Sequence, residues 1–163
     1  MNLIQSDATK MDFENNFFDL IYSFHALEHI PDYNKALSEI HRVLKPGCFF
    51  FVGTPNKSRI VGYLGVNSNY YNTKKKIVSN LLDYKHRLLG KFENKYGAHA
   101  GFTIKELRYI LEQYFMVSEV STDYYYGLYS KHRLMIRFLE KTNLTQLIFP
   151  SVYCLCKKME DIL

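Results

Sequence analysis

At 163 residues the chain is long enough for one domain with a real core and short for two. Its 47% apolar and 23% charged residues are the usage of a folded protein, not a disordered one. No apolar run approaches the roughly 20 residues that span a bilayer. The N-terminus "MNLIQSDATK" has neither a basic n-region nor a long apolar h-region, so the chain reads as cytoplasmic. Cys48, Cys154 and Cys156 are too few for a disulfide framework and read as reduced, buried thiols. The net charge of +5 is local: residues 57–95 hold nine Lys/Arg against Asp83 and Glu93. A basic segment of this kind suggests an acidic partner, beside the plain alternative of a solvated basic face.

In chain order, "MNLIQS" is a short strand candidate. "FFDLIYSF" follows as a strand expected to be buried on both faces, because its apolar residues hardly alternate. From Asp32 the period becomes helical: Ala36, Leu37, Ile40, Val43 and Leu44 share a face, with Asp32 as N-cap and Pro46-Gly47 as the stop. "CFFFVGT" is the next buried strand, which makes a parallel strand–helix–strand unit.

A basic helix is expected from Lys74 to Leu89, ended by Gly90. Its face of Ile77, Leu81, Tyr84 and Leu88, flanked by Val78, Leu82 and Leu89, is expected to pack over the sheet's edge. "TIKELRYILEQY" is a helix with Thr103 and Glu106 as a capping box. A strand "FMVSEVS" follows, then a helix over 130–140 with Leu134, Met135, Phe138 and Leu139 on one side, then a closing strand "SVYCLCKK". The whole is one α/β domain over 1–163, with 57–101 as a basic helical insertion or substrate cap.

The stretch from Ser6 to Asn56 carries an Asp-Ala pair, an "FD" strand, a helix start "LEHIPD" and "VLKPG" before the next strand. In that order these pieces resemble the class I S-adenosylmethionine-dependent methyltransferases of the small-molecule type. The resemblance implies a Rossmann-like sheet that binds S-adenosylmethionine at the carboxyl ends of its strands. It also implies methyl transfer to an oxygen, nitrogen or carbon of a small-molecule acceptor.

Matched to the family, Asp7 and Ala8 fall where the adenine is contacted, and Ser23, Phe24 and His25 where the methionine side is lined. Thr54, Pro55 and Asn56 end the next strand on the substrate rim, and His99 resembles a histidine at the active-site edge. His25 and His29 are the candidate catalytic groups, since an imidazole can serve as a general base near neutrality.

His25, Glu28 and His29 could converge on a divalent ion if their segment is helical. Glu28 could instead serve the helix N-terminus.

The chain departs from the family at its start: its first glycine is Gly47. Neither the family's glycine-rich loop nor the ribose-binding acid stands before the stretch that matches its third strand. With a family strand order of 3-2-1-4-5-7-6, the expectation is an N-terminally truncated sheet in which "DLIYSF" is an exposed edge. Such an edge is open to pairing with "MNLIQS" itself, with a second copy or with a missing half.

The functions consistent with this are three: the C-terminal portion of a methyltransferase for a small, acidic or lipid-linked acceptor, a non-catalytic or partner-dependent half, and a peripheral membrane module. The basic insertion carries the anionic-acceptor and membrane readings. No nucleic-acid reading motif is present.

Overall fold

The strand–helix–strand unit is present in the computed structural model, which describes residues 3–59, 73–91 and 101–160. Strand β1 (Phe18–Phe24) runs through a one-turn 3-10 helix at Leu27–His29 into helix α1 (Tyr33–Val43), and α1 into strand β2 (Leu44–Pro55). The Asp32 carboxylate accepts from the Lys35 N–H at 3.1 Å, the expected N-cap. β1 and β2 pair in parallel, Leu20 opposite Phe49 and Phe24 opposite Gly53.

Beyond α2 (Thr73–Leu88) come α3 (Ile104–Leu111), β3 (Met116–Glu119), α4 (Ser121–Leu128), α5 (Arg133–Lys141), α6 (Thr145–Ile148) and β4 (Ser151–Lys157). The sheet order is β1-β2-β4-β3, with β4 antiparallel to both neighbours. This fills the last four places, 4-5-7-6, of the sheet order that the resemblance implies. Thr103 and Glu106 close a reciprocal capping box at α3, as expected.

One face of the sheet is covered by α1 and α3, whose Leu37, Ile40, Leu107 and Leu111 meet Phe50, Val52, Cys154 and Cys156. The other face is covered at β2 and β4 by α4 and α5, through Tyr125, Ile136, Leu139 and Tyr153.

A buried lysine ties the two ends of this unit together. Lys158, 6% exposed, donates to Asn16 Oδ1 and His41 O at 2.8 Å and to Leu44 O at 2.9 Å. At the N-terminal side, Arg42 donates to the carbonyls of Phe13 and Met11 and grips Glu39, which accepts from the Met11 N–H.

Four expectations need correction. Residues 3–6 form no strand, and Leu3 and Ile4 are exposed, because nothing among the described residues pairs with them. β1 is not buried on both faces: Leu20, Tyr22 and Phe24 are 61%, 68% and 42% exposed, and only Ile21 on the opposite face packs into the core. Its lack of alternation reflects two apolar faces, one of which no described helix covers. On α2, Ile77, Val78, Leu81, Leu82, Tyr84 and Leu88 are exposed, as is Leu89 just after it, so among the described residues this face does not pack over the sheet's edge. In α5 the inward pair is Ile136 and Leu139, while Leu134, Met135 and Phe138 face out.

Candidate functional site

Because β4 runs against β1 and β2, its first residue lies at the same edge of the sheet as their carboxyl ends. The chain leaves β1 by turning at His25, whose φ of 49° is in the left-handed region. The His25 N–H donates to Gly53 O at 2.8 Å, which fastens this turn to β2.

The His25 side chain is also held: Nε2 meets Ser151 Oγ at 3.1 Å. Ser151 is fixed in turn, its N–H donating to Tyr125 Oη at 3.0 Å and its carbonyl accepting from the same hydroxyl at 3.3 Å. Burial pushes the Tyr125 phenol up to about 12, so it stays a neutral O–H able to serve both bonds. The result is an exposed imidazole at a strand end, anchored through β4 to α4.

Beside it lies an aromatic floor. The Phe24 ring centroid is 5.4 Å from Phe51 and 6.0 Å from Tyr153, and the latter two are parallel at 6.0 Å. Gly53 makes this possible, since a Cβ there would lie 2.5 Å from Tyr153 Cε1 and 3.2 Å from Phe24 Cδ1.

The remaining residues singled out by sequence are placed as follows. Asp7 is exposed in a turn, and its Oδ1 accepts from the Thr9 N–H at 2.8 Å and hydroxyl at 2.9 Å. Those bonds, the backbone one foremost, hold its carboxyl below the usual range. Ala8 is half-buried, as is Ser23. Thr54 and Asn56 are 0% and 1% exposed. Asn56 Nδ2 donates to the carbonyls of Gln146 at 2.7 Å and Phe149 at 2.9 Å, and its Oδ1 accepts from the Ser58 N–H, so its amide acts as a staple inside the protein. Pro55 O accepts from the Phe102 N–H at 3.2 Å. His99 lies outside the described residues.

His25, Glu28 and His29 are not brought onto one ion, and among the described residues no group of three metal-binding side chains forms. Their segment is a 3-10 turn, not an α-helix, and His25 stands before it in a left-handed conformation. Glu28 lies in the first turn of that 3-10 helix, and among the described residues neither of its carboxylate oxygens is hydrogen-bonded. Its side chain is 2% exposed, and His29 Nε2 is 3.9 Å from its Oε1.

Sequence reasoning missed Ser151 and Tyr125. The run "DYYYGL" carries three tyrosines with no helical period of apolar residues, and nothing local says that Tyr125 is the one turned inward.

Residues 1–52 match the family described as "Methyltransferase domain". That segment is similar to methyltransferase-domain sequence. It runs to Val52 in β2, so the matched stretch ends one residue before the Gly53 that fastens His25.

Within the same region the chain is 44% identical over 50 residues to a sterol 4-C-methyltransferase of Caenorhabditis elegans, covering 31% of this chain and 15% of that protein. It is 46% identical over 52 residues to a sterol 24-C-methyltransferase of Saccharomyces cerevisiae, covering 32% and 14%. To a demethylmenaquinone methyltransferase of Staphylococcus epidermidis it is 45% identical over 47 residues, covering 29% and 20%. The matched stretch thus spans a fifth or less of these relatives. The YcgJ protein of Bacillus subtilis superposes on 97% of this chain and 71% of its own, at 15% identity and a TM-score of 0.49.

S-adenosylmethionine is the cofactor that the methyltransferase segment implies. Asp7, Phe24 and His25 are exposed and offer a carboxylate, a ring and an imidazole of the kinds that such a molecule would meet. It also needs a glycine-rich loop and a ribose-binding carboxylate, and the chain has no glycine before Gly47.

Proposed function

We propose that this chain forms the His25-bearing side of an S-adenosylmethionine-dependent methyltransferase acting on a small, anionic or lipid-linked acceptor. The observation that carries this is the placement of His25, which closes the matched segment's first strand and is anchored at the shared edge of β1, β2 and β4. Open α/β sheets bind their ligands outside the carboxyl ends of the strands.

The cofactor, when bound, supplies an activated methyl group on a sulfonium. The chain's own part is then to orient the acceptor, exclude water and take up a proton, for which positioning contributes most. His25 is the group suited to take that proton, with Ser151 fixing its ring; exposed His29 is the alternative. The names of the sterol and demethylmenaquinone relatives support a lipid-linked acceptor, and the nine basic residues of 57–95 support an anionic one.

The exposed edge of β1 supports the further reading that the cofactor crevice closes only against another strand, from a second copy or another segment. Calorimetry with S-adenosylmethionine on residues 1–163 tests this, together with heteronuclear NMR. We expect no micromolar binding, but shifts of the Phe24 and His25 resonances at millimolar cofactor. Micromolar affinity would remove the need for a further strand, and unmoved resonances at His25 would remove the cofactor-side assignment.

A specific observation also favours contact with an anionic membrane surface. Residues 73–91 carry six Lys/Arg against Asp83, and the apolar residues of α2 given above are exposed. That combination is the composition of an interfacial helix. Flotation with vesicles of anionic lipid should depend on Lys74, Lys75 and Lys76. Equal flotation of the Lys→Glu triple variant would dismiss it.

A further inference from the structure

Behind the His25 anchor lies a cavity of about 200 Å³ between α4, α5, α6 and the entry to β4. It is lined by Tyr125, Tyr129 and Phe149, by Ile136, Leu139 and Ile148, and by His132. Tyr125 and Tyr129 are parallel, with centroids 6.0 Å apart, and Tyr125 lies 4.1 Å from Phe149. These rings pack against one another. A purely apolar cavity of about 150 Å³ can hold one benzene ring, so this one has room for a ring and a small substituent.

We infer that this cavity is a binding site for a single aromatic or alicyclic ring bearing one hydrogen-bonding substituent. The ring would lie against Tyr125 and Phe149, and the substituent would meet His132, which is exposed while Ile136 and Leu139 are buried. The site is also coupled to His25. The Tyr125 ring forms its wall, the Tyr125 hydroxyl holds both main-chain groups of Ser151, and Ser151 Oγ meets His25. An occupant that shifts Tyr125 therefore moves the anchor of the His25 ring. This inference deepens the proposed function by placing a ring-bearing part of a ligand beside the candidate site, and its test needs neither cofactor nor turnover.

The probes are phenol and toluene, followed by NMR titration of the full chain. Phenol should bind saturably, shifting Tyr125, Ile136 and the His25 imidazole, and Ile148→Phe should abolish this by filling the cavity. His132→Ala should weaken phenol by about fivefold, the equivalent of one net hydrogen bond, and leave toluene unchanged. In Tyr125→Phe, binding should persist while the His25 shift is lost. Non-saturable shifts, or saturable binding unaffected by Ile148→Phe in a variant with an unchanged far-UV spectrum, would overturn the site. Equal weakening of both probes by His132→Ala would overturn the role of the imidazole. Failure of S-adenosylmethionine to shift His25 while phenol binds would count against the proposed function and not against the cavity.

Discussion

Nε2 of His25 and Oγ of Ser151 meet at 3.1 Å although 126 positions separate them. The contact joins the exit of the first strand to the entry of the last, and it depends on β4 lying antiparallel beside β2. In Ser151→Ala the main-chain bonds to Tyr125 remain, so the fold should persist with a loss of about 1 kcal/mol, that of one net hydrogen bond. The His25 ring should then lose its fixed orientation. Urea unfolding and the line widths of the His25 ring resonances check both outcomes; an unmoved ring with full stability would mean the contact holds nothing.

Gly53 lies under two rings, and a methyl group there collides with Tyr153 at 2.5 Å. Gly53→Ala should cost about 1–3 kcal/mol, the range for overpacking a close-packed site. Tyr153 cannot retreat freely, because it is stacked at 3.9 Å on Tyr124 and backed by Tyr125 at 5.9 Å. Thermal unfolding of the variant should show a lowered midpoint, and Gly127→Ala, where a Cβ meets nothing within 4 Å, is the control.

The Arg42 guanidinium hydrogen-bonded to Glu39, with the Met11 N–H second, holds the Glu39 carboxyl down to about 2 from its ordinary 4.5. A depressed carboxyl contributes stability that is fully present above about 4.5 and is lost as the pH falls through about 2. Wild-type denaturation midpoints should therefore fall between those values. In Glu39→Gln the midpoint at neutral pH should be lower and that acid-side fall smaller. Parallel pH curves for the two proteins would show that the pair does not contribute.

Burial raises the Cys154 thiol to about 12 and the Cys156 thiol further. Both are inside the core beneath α3, whereas Cys48 is only half-buried. A thiol-specific reagent at neutral pH should label Cys48 first and the other two only as the protein unfolds, because the thiolate is the reacting form. Mass spectrometry of the labelled native protein reads this directly; fast labelling at Cys154 would contradict its burial.

What was legible in the sequence was what is written locally. Asp32 announces α1 by a bond three residues long, Thr103 and Glu106 announce α3 in the same way, and the spacing of Cys154 and Cys156 puts both in one face of β4. Helix α4 was not legible, because its N-cap, Val120, makes no side-chain bond and only Tyr125 of its three adjacent tyrosines is fully buried. β1 misled because an apolar run states what could be buried and not what is at hand to bury it. Of the site, His25 could be found from its place after the strand. Ser151, Tyr125 and the Asn56 staple could not, because their partners lie far away in the chain.

The sheet order has a consequence for synthesis on the ribosome. β4 is the latest of the four strands in the chain, yet it sits between β2 and β3. Until it emerges, no strand joins β2 to β3, and Phe50 and Val52 lack their sheet neighbours Cys156 and Cys154. Lys158, just beyond, then locks the N-terminal segment through Asn16 and Leu44. The nascent chain therefore cannot complete its native sheet until nearly all of the described residues are outside the exit tunnel, and during that interval its apolar strands lie open to aggregation.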